Sequence, residues 1–148
     1  MNNQTCCPQY GAFLTRLTLG VVLLAHGLLK VMVFTIPGTV DFFASLNLPF
    51  PELMAYATIF GEIAGGTALI LGVLTRLAAI LSAPLLLGAT WAHMDNGWVF
   101  SNEGGGWEFP AVLVALSFIV FLQGAGAFAL DNKINLMNCP FSKKEDSD

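Results

Sequence analysis

The chain has 148 residues, 55% of them hydrophobic and 11% charged, with a formal net charge of -4 and a mean hydropathy of +0.70. Soluble domains carry about 25% charged residues, so this composition excludes an ordinary soluble fold, and the lack of any basic run excludes a nucleic-acid surface. A helix needs roughly 20 mostly apolar residues to cross a bilayer, and four such segments with short loops fill nearly the whole chain.

The reading is therefore an all-α integral membrane four-helix bundle with a short interfacial helix between helices one and two. Residues 1–10 are polar and lack the basic start and small-residue cleavage site of a secretory signal. They read as a cytoplasmic segment, residues 11–131 as the four-helix transmembrane domain, and residues 132–148 as a cytoplasmic polar tail. Cys6, Cys7 and Cys139 form neither a CxxC nor a zinc-ligand spacing and read as unpaired thiols.

The first helix is predicted from about Gly11 to Phe34, with Arg16 near its start and Lys30 near its end. Ile36-Pro37-Gly38 ends it, because proline cannot continue the ladder. Residues 39–46 are too short to span but place Val40 and Phe43 on one side, which suits an interfacial helix. A second span opens at Glu52 behind Pro51 and reaches about Val73, with Glu62 at its middle and small residues at Gly61, Gly65 and Gly66. Gly61-xxx-Gly65 permits close helix approach, either inside the monomer or in a homo-oligomer.

Thr75-Arg76 forms a tight turn, and the third helix runs from about Leu77 to His93 with Pro84 inside it, where a kink is expected. Residues 94–108 make the longest polar connection. Trp98 and Trp107 mark the headgroup level, and Gly104-Gly105-Gly106 lacks the lysine of a phosphate loop and reads as flexible. Phe109-Pro110 opens a fourth helix continuing to about Leu130. Arg16, Arg76, Lys133, Lys143 and Lys144 fall on the side of the termini, and Lys30 is the other side's one basic residue. The positive-inside bias thus puts both termini on the cytoplasmic side of the membrane.

Ionisable residues inside a span are costly and are functional candidates by default. At about 1.5 Å per residue, His26 and Glu62 lie within one turn of each other in depth, in the outer half of the bundle. Lys30, His93 and Trp91 lie nearer the outer surface. Glu62, His26 and Lys30 are the candidate catalytic residues, and His93, Trp91 and Glu108 the candidate substrate-binding ones. A bland alternative stands beside this: the same cluster fixes helix register, or Lys30 snorkels to the headgroups. Two histidines do not make a metal site without further ligands, and none is assigned.

Several segments carry a family resemblance. They are Arg16-Leu17-Thr18-Leu19-Gly20, Gly27-Leu28-Leu29-Lys30, Gly61-Glu62-Ile63-Ala64-Gly65-Gly66, Gly72-Val73-Leu74-Thr75-Arg76, Glu108-Phe109-Pro110, and Gly124-Ala125-Gly126 with Leu130-Asp131. In this order and spacing the chain resembles the DoxX family of small four-helix membrane proteins. The resemblance implies an oxidoreductase-associated membrane subunit, the namesake type being the small subunit of a thiosulfate:quinone oxidoreductase, and it supplies no catalytic residues. The resulting expectation is a quinone-linked subunit whose pocket takes a quinone head, with His26, Lys30 or His93 donating to its carbonyls and Glu62 relaying protons. Without a haem, flavin or iron–sulfur ligand set in the sequence, a redox protein partner passes the electrons. The alternative is a non-enzymatic scaffold or small-solute carrier in the lipid bilayer.

Overall fold

Helix boundaries follow from where proline, glycine and one distant carboxylate sit. The computed structural model describes residues 6–134, so the expectations for Cys139, Lys143 and Lys144 and for most of the polar tail lie outside the described residues. Helix α1 covers Cys6–Met32, α2 Ile36–Ser45, α3 Pro51–Leu71, α4 Thr75–Ala92, α5 Glu108–Gln123 and the single turn α6 Asp131–Ile134. Among the described residues there is no strand.

Pro37 opens α2 as well as closing the preceding span. It lies in the first turn of α2, where a missing N–H costs nothing, and the Thr35 side chain accepts from Gly38 N there. Helix α2 thus begins three residues earlier than the sequence suggests. Pro51 opens α3 in the same way. At the other end of α3, Gly72 adopts φ 69°, and Val73 N bonds back to Ala68 O at 2.9 Å. This left-handed cap satisfies carbonyls that the helix leaves open.

The fourth apolar segment ends seven residues before its expected limit. Gly124 and Gly126 both take positive φ, 78° and 64°, which breaks the helix at Gln123 and turns the chain back across α1. Ala127 N donates to Gln9 O at 3.0 Å, and Asp131 N donates to Gly72 O at 2.9 Å. The Asp131 carboxylate then accepts from Leu74 N and Thr75 N, at 2.7 and 2.9 Å, capping α4 from a distance.

Helices α1 and α3 pack closely, and glycines set their spacing. A Cβ on Gly66 would lie 2.6 Å from Leu24 N, and one on Gly27 would lie 2.7 Å from Ile63 Cγ1. Gly61 and Gly65 face α4 instead, against Leu85 and Ser82, so α3 carries small residues on two faces. The core between the helices is made by Leu19, Leu23, Leu69, Ala79, Leu86, Leu113 and Val120.

The outside is as oily as the inside. Phe60, Leu81, Leu122 and Phe128 are 60–74% exposed, an arrangement that only lipid makes favourable over so many positions. The stretches Pro8–Met32, Pro51–Leu71 and Thr75–Ala92 are long and apolar enough to cross a membrane, and Glu108–Gln123 is a shorter apolar helix. This is an integral membrane protein.

Candidate functional site

One helical turn separates His26 from Lys30, so α1 presents both on one face. Gly27 lets α3 come against that face, with Glu62 Cβ 3.2 Å from where a Gly27 Cβ would sit. Lys30 Nζ consequently reaches both carboxylate oxygens of Glu62, at 2.7 Å each. The Lys30 side chain keeps 21% exposure and that of Glu62 only 9%. Desolvating two charges is costly, and the two hydrogen bonds offset it by using both carboxylate oxygens.

The pair opens into a cavity of about 260 Å³ that His26, His93, Phe109, Gly105 and Gly106 also line, with Leu23, Leu86 and Leu113 among its apolar walls. His26 Nδ1 donates to Val22 O and His93 Nδ1 to Ala89 O, both at 2.8 Å. The Phe109 ring stacks on His26 at 5.8 Å between centroids. Four of the six residues singled out from the sequence therefore meet at one cavity. Trp91 does not line it and is 52% exposed. Glu108 does not line it either; its Oε1 accepts from Phe100 N at 2.9 Å, which holds a wall residue in place.

The glycine-rich connection reads from the sequence as flexible, yet it is extensively hydrogen-bonded. The Asn96 amide donates to Gly104 O and Gly105 O at 3.0 and 2.9 Å. Trp107 N and Glu108 N return to Gly97 O and Trp98 O at 3.1 Å, and the two indoles meet edge to face at 4.4 Å. Gly104 and Gly105 have φ of 80° and 77°, a region open to glycine at no steric cost. Gly106 is buried against the backbone of Trp98 and Val99. The loop thereby becomes a wall of the cavity, a role that its composition does not disclose. Among the described residues no three His, Cys, Asp or Glu side chains converge as a metal site would require.

At the opposite end of the molecule Arg16 is completely buried. Its Nε donates to Ala125 O at 2.9 Å, Nη1 to Leu69 O and to Ile70 O (3.0 Å), and Nη2 to Ala127 O at 3.2 Å. Leu69 and Ile70 belong to the last turn of α3, whose carbonyls the helix itself leaves open; Leu69 O also accepts from the cap Gly72 N at 3.2 Å. An arginine in an apolar span is itself the sequence signal for such an arrangement, but its partners come from a turn 109 residues away.

Residues 11–95 match the family model described as DoxX. The chain belongs to the DoxX family. It is 32% identical over 123 residues to "Putative oxidoreductase CatD" of Bacillus subtilis, covering 83% of this chain and 86% of that one. It is 37% identical over 137 residues to an uncharacterized protein of Haemophilus influenzae, covering 90% and 97%. It is 29% identical over 125 residues to the inner membrane protein YphA of Escherichia coli, covering 81% and 87%. No solved structure matches. The DoxX match covers Arg16, the Lys30–Glu62 pair and both histidines, whereas the 124–131 turn and the Phe109 wall lie beyond it.

Proposed function

We propose that this DoxX protein is the membrane subunit of a quinone-linked oxidoreductase system and that the cavity receives a single-ring quinone head group. The observation that carries the reading is the Lys30–Glu62 pair, which opens beside two histidines into an otherwise apolar space. A volume of about 260 Å³ is at the small end of ligand pockets, roughly 300–1,000 Å³, and suits one ring better than a fused system. Phe109 supplies a flat apolar face, and the charged pair supplies an acid and a base within reach of a bound ring. A quinone couples electron transfer to proton uptake, and here a redox protein partner passes the electrons. The "oxidoreductase" in the name of the Bacillus subtilis relative supports the same class.

In this reading α1, α3, α4 and α5 cross the bilayer as a four-helix bundle. Helix α5 covers about 24 Å at 1.5 Å per residue, and the 124–130 turn completes the crossing. Helix α2 lies in the outer interface, with Asp41 exposed. The basic residues near the termini put that end in the cytoplasm of a bacterial cell, and the cavity in the outer half.

The test is purification from native membranes in mild detergent, followed by extraction of bound quinone and titration with a short-tailed benzoquinone. Retention and saturable binding are expected for the unmodified protein and are lost in Glu62→Gln and His26→Ala. Undiminished binding in both variants overturns the reading. A stably co-purifying partner with no bound or turned-over quinone supports a scaffold instead.

A further inference from the structure

We propose that the cavity is built to receive hydrogen-bond donors, so that it holds the reduced, dihydroxy form of the ring in preference to the oxidised, dicarbonyl form. The inference rests on the quinone reading above and reverses the polarity expected from sequence, in which the histidines donate to carbonyls.

The argument is one of tautomers. His26 Nδ1 lies 2.8 Å from Val22 O and His93 Nδ1 lies 2.8 Å from Ala89 O. A carbonyl oxygen only accepts, so in each ring the Nδ1 holds the proton. Both rings are taken as neutral, His26 included although it lies within electrostatic range of Glu62; Nδ1–H is then the one N–H of each ring and Nε2 a bare acceptor. Among the described residues neither Nε2 has a hydrogen-bond or ion-pair partner, and both rings line the cavity.

The other polar groups of the cavity do not reverse this balance. Lys30 has three ammonium protons, and two of them are directed at Glu62 Oε1 and Oε2, leaving one donor. Glu62 adds only acceptor lone pairs. On this assignment two imidazole lone pairs and a carboxylate belong to the residues that line the cavity, against a single free N–H. A dicarbonyl ring brings two further acceptors and leaves the Nε2 atoms without a donor in a cavity that Leu23, Leu86 and Phe109 also line. A dihydroxy ring brings two O–H donors, and unpaired polar groups in an apolar site are what discriminate strongly between such analogues.

The experiment compares three ligands built on one ring, using the unmodified protein in lipid nanodiscs: a short-tailed hydroquinone under anaerobic conditions, the matching benzoquinone, which is the size-matched comparison, and the bulkier dimethyl ether. The hydroquinone is expected to bind tighter than either by about tenfold for each hydrogen bond lost. Nitrogen-15 histidine spectra of the same samples, assigned with His26→Gln and His93→Gln, are expected to show both rings protonated at Nδ1 before ligand is added. A benzoquinone bound as tightly as the hydroquinone, or rings protonated at Nε2, overturns the donor preference while leaving the quinone reading intact. Failure of all three ligands to bind overturns both.

Discussion

The two ends of the helical domain each hold a cation among apolar helices, and they handle it in opposite ways. At the end of the termini Arg16 is completely buried, and all its nitrogens are on backbone carbonyls of α3 and the 124–127 turn. At the end of the 94–108 loop Lys30 sits on a single carboxylate, partly exposed, beside an open volume. A guanidinium has five donors in a fixed fork and suits several fixed acceptors, whereas an ammonium is a compact charge on a flexible stem. The first arrangement leaves nothing free to act on a ligand. The second leaves Lys30, Glu62 and two imidazole rings lining a space that a ligand can enter. Burial of charge alone therefore does not mark a site; burial next to unfilled volume does.

The largest expected effect falls at Arg16. Arg16→Leu removes the donor of four carbonyls; Leu69 O keeps Gly72 N, and those of Ile70, Ala125 and Ala127 are left without it, each costing about 1–3 kcal/mol. A loss of roughly 4 kcal/mol or more is expected, which lowers the unfolding midpoint of a chain this size by about 8 °C or more. Arg16→Lys recovers only part of it, because three donors cannot serve carbonyls spread over two elements. Thermal unfolding in detergent reads this, and a midpoint unchanged in Arg16→Leu would break the contrast at its strong end.

Glu62→Leu comes next. Removing one partner of a buried pair typically costs about 3–5 kcal/mol, and the partial exposure of Lys30 reduces this to roughly 2–3 kcal/mol. The double variant Lys30→Met/Glu62→Leu is expected to return close to the parent midpoint, since hydrophobic residues of similar volume replace ion pairs well. It is nevertheless expected to lose ring binding. Stability and binding thus separate at this end and stay coupled at Arg16. A double variant that binds as the parent does would show the pair to be a register device only.

How much of this the sequence discloses depends on the range of the physics involved. The membrane class and the long helices are written in hydropathy, which is local. The grouping of His26, Lys30 and Glu62 is legible because a fixed rise per residue converts chain position into depth, although the count sets His26 level with Glu62 and it is Lys30, a turn further out, that reaches the carboxylate. What stays hidden depends on distant partners. Nothing near Arg16 announces that Ala125 and Ala127 will supply its acceptors, and nothing near Leu74 and Thr75 announces the Asp131 cap. The same holds for the early stop of α5, since apolar residues 125–130 read as helix until Gly124 and Gly126 are seen to turn the chain back. Gly27 shows its use only in the packing, where α3 takes the room beside it.

Gly27→Ala tests that last point. Its Cβ would meet Ile63 Cγ1 at 2.7 Å and Ile63 N at 3.2 Å, so α1 and α3 must separate or repack, at about 1–3 kcal/mol. Because Lys30 stands one turn further on, the separation also loosens its grip on Glu62, and ring binding is expected to weaken severalfold. Gly72→Ala provides the matched change at the other end, where φ 69° and the approach of Ala129 and Arg16 leave no place for a Cβ. It is expected to cost a similar amount of stability and leave the affinity alone. Equal effects of both glycines on binding would mean that the ends are not independent.

The smallest expected effect is at Glu108, outside the cavity but attached to its wall. Glu108→Ala removes the acceptor of Phe100 N, a single exposed hydrogen bond with a net value of about 1 kcal/mol. Stability should hardly change, because Trp107 N and Glu108 N keep their bonds to Gly97 O and Trp98 O. What changes is the position of Phe100 against the cavity, so affinity for the ring is expected to fall by a few-fold, and Glu108→Gln, which keeps a carbonyl acceptor, should restore most of it. A carboxylate in direct contact with the ligand would behave otherwise, since Gln would not rescue a lost charge. The Ala-against-Gln comparison therefore decides whether Glu108 positions the wall or touches what the wall encloses.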